Sequence, residues 1–208
     1  GTHFVADQPL PDPGLPALWS EGERAFARNR PLFDYVRHCG SMLEPVLCGR
    51  ESPLETLFPG GSFDLARGLY ERSAMMRYVN ELAAAAFEHL GALVPAGRSM
   101  RVLEIGAGSG GTTSALLPAL PPHRFRYCYT DVSDVFLQQA RERFGHWPGI
   151  EFGLLDLEKP AAEQGYAPGS FDVIVAANAV HAVKDLRSAL HRLRELLAPG
   201  GLVVLVES

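Results

Sequence analysis

Residues 100–112 read MRVLEIGAGSGGT, and the fold of the whole chain turns on this stretch. Val102, Leu103 and Ile105 form a short apolar run that stops at Gly106-Ala107-Gly108-Ser109-Gly110-Gly111. A helix-like segment follows at once, so the stretch reads as a buried strand, a tight glycine turn and a helix start. Such a corner binds nucleotide-type ligands. Glycine lets the backbone approach a ligand closely, and the helix N-terminus presents free N–H groups. Glu104 adds a carboxylate near the end of the strand, which repels a pyrophosphate and suits a cationic or hydroxyl-rich ligand. Gly106, Gly108 and Gly111 also satisfy the G-x-G-x-x-G spacing of dinucleotide enzymes. A turn that serves packing alone stays open at this point.

Downstream, the pattern alternates. Strands are expected over 100–105, 125–130, 150–155, 171–177 and 202–207, with helices over 112–120, 134–144 and 186–197. Asp131 or Ser133 is placed to cap the second of these helices. Gly165 to Gly169 reads as a loop, and Pro199-Gly200-Gly201 as a turn before the last strand. Alternation of this kind predicts an α/β fold, a Rossmann-like doubly wound parallel sheet covered on both faces. An apolar strand at the sheet edge invites pairing, so further strands or another surface are expected to cover it.

Upstream, the apolar positions recur at helical spacing from Ala17 to about Val94. Pro53, Pro59 and Gly60-Gly61 interrupt them, and one long helix is expected over 65–90. This predicts an N-terminal helical lid over 18–97 preceding a core over 98–208. Residues 1–17, with Pro9, Pro11, Pro13 and Pro16, read as an extended linker. At 208 residues the chain suits one core with a smaller lobe. Its net charge of −5, without a basic stripe, argues against nucleic-acid or anionic-membrane partners. No apolar run reaches transmembrane length, and the first residues lack a signal-peptide pattern. Cys39, Cys48 and Cys128 are sparse and odd in number, which reads as reduced thiols of a cytoplasmic protein. No histidine–carboxylate cluster has metal-ligand spacing, so no metal is expected.

In a doubly wound sheet the ligand lies beyond the carboxyl ends of the strands. The polar residues expected there are Glu104, Asp131, Asp156, Asn178, His181 and Glu207. Asp131 follows Gly111 by about 20 residues, the spacing of an acid that accepts hydrogen bonds from a ribose diol. Its alternative role is a helix cap. Asp156 is placed to accept from an exocyclic amino group, or else is a solvated loop acid.

The blocks VLEIGAGSGGTT, YTDVSDVFLQQARERF, LLDLEKPAAEQGY, FDVIVAANAVHAVKDL and LLAPGGLVVLVE, in this order, resemble a class I S-adenosylmethionine methyltransferase. More narrowly, they resemble the methyltransferase domains embedded in modular polyketide synthases, and the likeness extends upstream to Asn29. The resemblance implies that Glu104, Gly106, Ala107, Gly108 and Gly110 cradle the methionine part of S-adenosylmethionine. It implies that Asp131 holds the ribose, Val132 lies against the adenine, Asp156 and the Leu157 backbone read the adenine edge, and Asn178 lies near the amino-acid end.

In the strand order such folds adopt, the fourth and fifth strands are neighbours, so His181 and Glu207 are expected to meet. The carboxylate then fixes the ring's tautomer, and the other ring nitrogen takes the acceptor's proton. The pair resembles the His/Glu dyad of the polyketide synthase enzymes. The implied substrate is an acyl chain tethered to an acyl carrier protein, with neighbouring synthase domains in the same polypeptide. The compact lobe points toward O-methylation of a β-hydroxyl. C-methylation of an α-carbon, a nicotinamide-dependent reductase and a non-catalytic structural domain are the alternatives.

Overall fold

The computed structural model describes residues 13–121 and 123–207. They form two compact units, divided between Leu69 and Tyr70.

The first unit is helical. Helix α1 (Leu15–Ala25) starts with Pro16 in its first turn, where a missing N–H costs no hydrogen bond. The extended linker expected over 1–17 therefore gives way to helix by Leu15, and residues 1–12 lie outside the described residues. Helix α2 (Arg30–Leu47) crosses α1 through an aromatic cluster, with Trp19 edge-on to Phe33 at 5.9 Å and Phe26 stacked on it at 6.5 Å. Gly22 and Gly40 permit this approach. A methyl at either would meet Phe33 at 3.0 Å or Trp19 at 3.2 Å. A short helix, α3 (Asp64–Arg67), ends the unit.

The single helix expected over 65–90 is broken. After α3 the chain makes a π-helical turn, Gly68–Arg72, and Ser73 then takes an extended conformation. The Ser73 hydroxyl accepts from the Met76 N–H at 3.4 Å and starts α4 (Ala74–Leu93) afresh. Apolar residues continue on both sides of the break, Leu69 and Tyr70 before it and Met76 and Val79 after it, so period alone does not mark it.

The second unit is a five-stranded, all-parallel sheet in the order β3-β2-β1-β4-β5. The strands are β1 (Met100–Ile105), β2 (Phe125–Asp131), β3 (Ile150–Leu154), β4 (Phe171–Ala177) and β5 (Leu197–Val206). Helices α5 (Gly111–Ala119) and α6 (Asp134–Phe144) cover one face together with α4, and α7 (Leu186–Leu196) covers the other. Alternation along β1 decides which residue goes where. Val102 joins Phe87, Leu116, Tyr127 and Phe144 in one layer, and Leu103 and Ile105 join Ile174, Leu193 and Leu196 in the other. Central strands buried on both sides read as continuous apolar runs for this reason.

Helix α4 belongs to this unit. It packs on α5 and sends Ala83 and the fully buried Phe87 into the sheet's own core. Truncating a side chain so placed costs about 3–5 kcal/mol. The compact division thus falls at 69/70 and not near 97 as the reading of the sequence had it. Periodicity reveals that a helix has an apolar face but not what that face meets. Strand β5 also begins earlier than expected, at Leu197. Pro199-Gly200-Gly201 sits inside it as an irregularity, with Gly200 at φ 79° and a register jump between Phe171 and Val173.

Candidate active site

The strands all run the same way, so the residues at their carboxyl ends share one rim. The glycine loop after β1 is held there from several sides. The Ala107 N–H donates to the Thr130 carbonyl at 2.9 Å, and the Gly108 N–H donates to Asp131 Oδ2 at 2.9 Å. The Tyr129 hydroxyl donates to the Gly108 carbonyl at 2.6 Å, and Arg143 Nη1 donates to the Ser109 carbonyl at 3.2 Å. Gly106, Gly108 and Gly110 have φ of 61°, 56° and 77°, a region that side chains other than glycine enter at a cost.

The glycines differ in what surrounds them. A methyl on Gly106 would strike the Ala179 methyl at 2.5 Å, one on Gly110 the Phe144 ring at 2.5 Å, and one on Gly111 the Tyr70 carbonyl oxygen at 2.6 Å. At Gly108 nothing lies closer than the Gly106 carbonyl oxygen at 3.8 Å. Packing accounts for three positions, and the fourth leaves backbone facing open space. A turn that served only packing would not need that opening, whereas a backbone-approaching ligand does.

Two expected binding carboxylates carry structural work. Glu104 is 1 % exposed and points into the layer beneath the loop. Its Oε2 accepts from the Thr113 hydroxyl at 2.5 Å and the Tyr127 hydroxyl at 2.8 Å. Burial pushes this acid up to about 7, against the lowering effect of the two hydroxyls and with a further upward push from Asp131. Glu104 thus supports the loop and the start of α5 from below.

Asp131 is 4 % exposed. Oδ2 takes the Gly108 N–H and Oδ1 takes the Ser133 N–H at 3.0 Å. Burial raises its pKa, opposed by the N–H groups of Gly108, Ser133 and Val132. With three N–H groups on it, the carboxylate keeps one further lone pair for a hydroxyl donor. Val132 beside it is 68 % exposed, an apolar surface open to a flat ligand.

At the end of β3, the Asp156 carboxylate turns onto its own loop, where Oδ1 accepts from the Glu158 N–H at 2.9 Å and Oδ2 pairs with Lys159 at 3.1 Å. These contacts hold its pKa low, the Glu158 N–H most of all. Gln164 grips the Asp156 backbone on both sides, and the Leu157 side chain is buried in the layer facing α7. Asn178 sits at φ 49° just past β4, and its N–H donates to the Val206 carbonyl at 2.7 Å. This bond ties the ends of β4 and β5 together.

That tie delivers the dyad. Ala177 is in register with Val206, so the residues just beyond them are neighbours. His181 Nδ1 lies 2.5 Å from Glu207 Oε2, and Glu207 Oε1 accepts from the Val180 N–H at 2.9 Å. The His181 side chain is 57 % exposed and that of Glu207 28 %. With Glu207 accepting from Nδ1–H, the tautomer leaves a lone pair on Nε2. Thr113, Tyr127 and Tyr129 escaped the reading of the sequence. A hint existed in β2, where Tyr127 and Tyr129 alternate inward, since a buried phenol seeks an acceptor.

A methyltransferase-domain family matches residues 103–203. Polyketide synthase ThaQ of Burkholderia thailandensis is 37 % identical over 199 residues, 91 % of this chain and 10 % of the synthase. Polyketide synthase PksR of Bacillus subtilis is 36 % identical over 172 residues, 79 % of this chain and 7 % of the synthase. Among solved structures, the CurJ carbon methyltransferase matches at a TM-score of 0.86 with 34 % identity, over 91 % of this chain and 50 % of that one. The DszA carbon methyltransferase matches at 0.83 with 32 % identity, over 93 % and 52 %. The chain therefore spans a tenth or less of these synthases and about half of the solved methyltransferases. With its fold, its glycine rim and these relatives, the chain belongs to the class I S-adenosylmethionine-dependent methyltransferases, as a domain of the polyketide synthase kind.

Proposed function

We propose that this domain methylates an acyl chain carried as a thioester on an acyl carrier protein, at the α-carbon between two carbonyl groups. The observation that carries the chemistry is the His181 Nδ1–Glu207 Oε2 contact at 2.5 Å on the ligand rim. The choice of carbon follows its neighbours, since the CurJ, DszA and citrinin synthase structures are carbon methyltransferases. Oxygen methylation rested only on the compact lobe.

S-adenosylmethionine, when bound, supplies a methyl group on a positively charged sulfur. The loop from Gly106 to Gly110 fits its amino-acid part, because the backbone at Gly108 is open and carries no side chain. Val132 offers the apolar face for the base, and the remaining lone pair of Asp131 suits a ribose hydroxyl. Asp156, the Leu157 backbone and Asn178 complete the set along the same rim. His181 Nε2 takes the proton from the acceptor carbon, and Glu207 stabilises the imidazolium that results. The negative charge stays on the acceptor, delocalised over its two carbonyl oxygens, until its carbon has bonded to the methyl. The enzyme's work is to align acceptor and methyl and to hold that proton.

The test is incubation with S-adenosylmethionine and carrier-bound β-ketoacyl and β-hydroxyacyl substrates, with the added methyl located by NMR. A methyl on the α-carbon of the ketoacyl substrate is expected. A methyl ether on the hydroxyacyl substrate would replace this reading with O-methylation, and no transfer to either would refute it.

A further inference from the structure

Beyond the dyad, the Arg143 that grips the Ser109 carbonyl belongs to a larger polar cluster. Arg143, in the last turn of α6, is 26 % exposed, and so is its partner Glu71. Its Nη2 donates to both Glu71 oxygens, at 2.8 and 2.9 Å, while Nη1 donates to the Ser109 carbonyl at 3.2 Å. A second bridge runs beside it. The buried Asn80 of α4 donates through Nδ2 to the Tyr70 carbonyl at 3.1 Å and accepts through Oδ1 from the Thr112 hydroxyl at 3.0 Å. Between the two bridges, Gly111 touches the Tyr70 carbonyl so closely that no side chain fits.

Tyr70 and Glu71 lie in the π-helical turn Gly68–Arg72. Single turns of this kind sit disproportionately at functional sites. Here the turn is bolted to both ends of the Ser109–Thr112 segment, which is the outer half of the glycine loop and the start of α5.

We propose that Glu71 and Arg143 are positioning residues that set the glycine loop for the cofactor, with the π-helical turn as the fixed anchor. A guanidinium shared between a carboxylate and a loop carbonyl holds that peptide in one orientation. The N–H of the same peptide, that of Gly110, donates to the Ala107 carbonyl at 2.9 Å, so the turn of the loop is held with it. Releasing the Ser109 carbonyl lets the loop rotate away from its binding form, so the cofactor must reorder it on arrival. This inference rests on the cofactor reading above.

The test uses the full chain and S-adenosylhomocysteine as the calorimetric probe, with Arg143→Lys, Glu71→Gln and the double variant. Arg143→Lys keeps the charge and loses the fork, so it guards against a variant that fails to fold. The expected result is a rise in Kd on the order of ten-fold for each single variant. The double variant should be no worse than the weaker single, because the two residues act as one unit. KM for S-adenosylmethionine should rise in step while kcat at saturation holds within about two-fold. Affinities unchanged in folded variants, whatever their melting temperature, would overturn the proposal and leave the cofactor reading intact. A wild-type chain that binds no S-adenosylhomocysteine would overturn both.

Discussion

The two halves of the rim are built in opposite ways. At β1 and β2 the glycine loop rests chiefly on buried groups, with Glu104 1 % and Asp131 4 % exposed, and Arg143 is its partly exposed anchor. At β4 and β5 the dyad stands in the open, with His181 57 % exposed and held by Glu207. Binding a cofactor rewards a surface fixed before the ligand arrives, since ordering it afterwards is subtracted from affinity. On the function proposed above, His181 has to reach a tethered acyl chain and then exchange its proton with water, which rewards exposure. The comparison says that the first half couples affinity to folding stability, and the second separates activity from it.

His181→Ala tests that separation and carries the largest expected effect. Turnover should fall by about 10²–10⁴-fold, the usual worth of a general base. Thermal stability should stay within about 0.5 kcal/mol, as for an exposed side chain away from packing. A rate near wild type in a steady-state assay would remove His181 as the base. A large loss of stability would erase the contrast between the halves.

Glu104→Gln probes the opposite half. The folded acid sits at about 7, above the ordinary 4.5, so between those values the folded state binds more protons than the unfolded one. Its stability is then fully present below about 4.5 and is lost as pH rises through about 7. The loss is on the order of 3 kcal/mol from a shift of that size. Glutamine cannot ionise, so the variant's unfolding free energy in urea should lack this fall between pH 4.5 and about 7. Parallel pH profiles for the two proteins would show that Glu104 does not titrate there.

The smallest expected effect is that of Asp131→Ala on cofactor affinity, a loss of about 1–3 kcal/mol. Part of it comes through the freed Gly108 N–H, so stability should fall alongside affinity. Calorimetry with S-adenosylhomocysteine and a melting curve on the same sample check both. Unchanged affinity would place the ribose elsewhere, and lost affinity with unchanged melting would decouple what the comparison joins.

Much of this was legible in the linear chain. The strand–glycine–helix corner at 100–112, the strand at 171–177 and the helix at 134–144 follow from apolar period and turn residues, which are local properties. The meeting of His181 and Glu207 followed from the strand order that the family resemblance implies, because parallel neighbours align their carboxyl ends. What period cannot report is the partner of a face. Helix α4 read as part of a lid and turned out to bury Phe87 in the core of the sheet. Nor does composition show direction across a strand. Glu104 read as a rim carboxylate, yet alternation along β1 turns it, like Val102, into the layer beneath, where Thr113 and Tyr127 hold it.

By itself the sequence determined the parallel α/β core, its glycine corner and the set of polar residues at the strand ends, since these depend on spacing along the chain. Only the tertiary structure decided which carboxylates hold the loop, Glu104 through buried hydroxyls and Asp131 through the Gly108 N–H. It also brought Glu71, Asn80 and Arg143 together around that loop. Those contacts join residues from separate elements, and no pattern within one element encodes the distance between two.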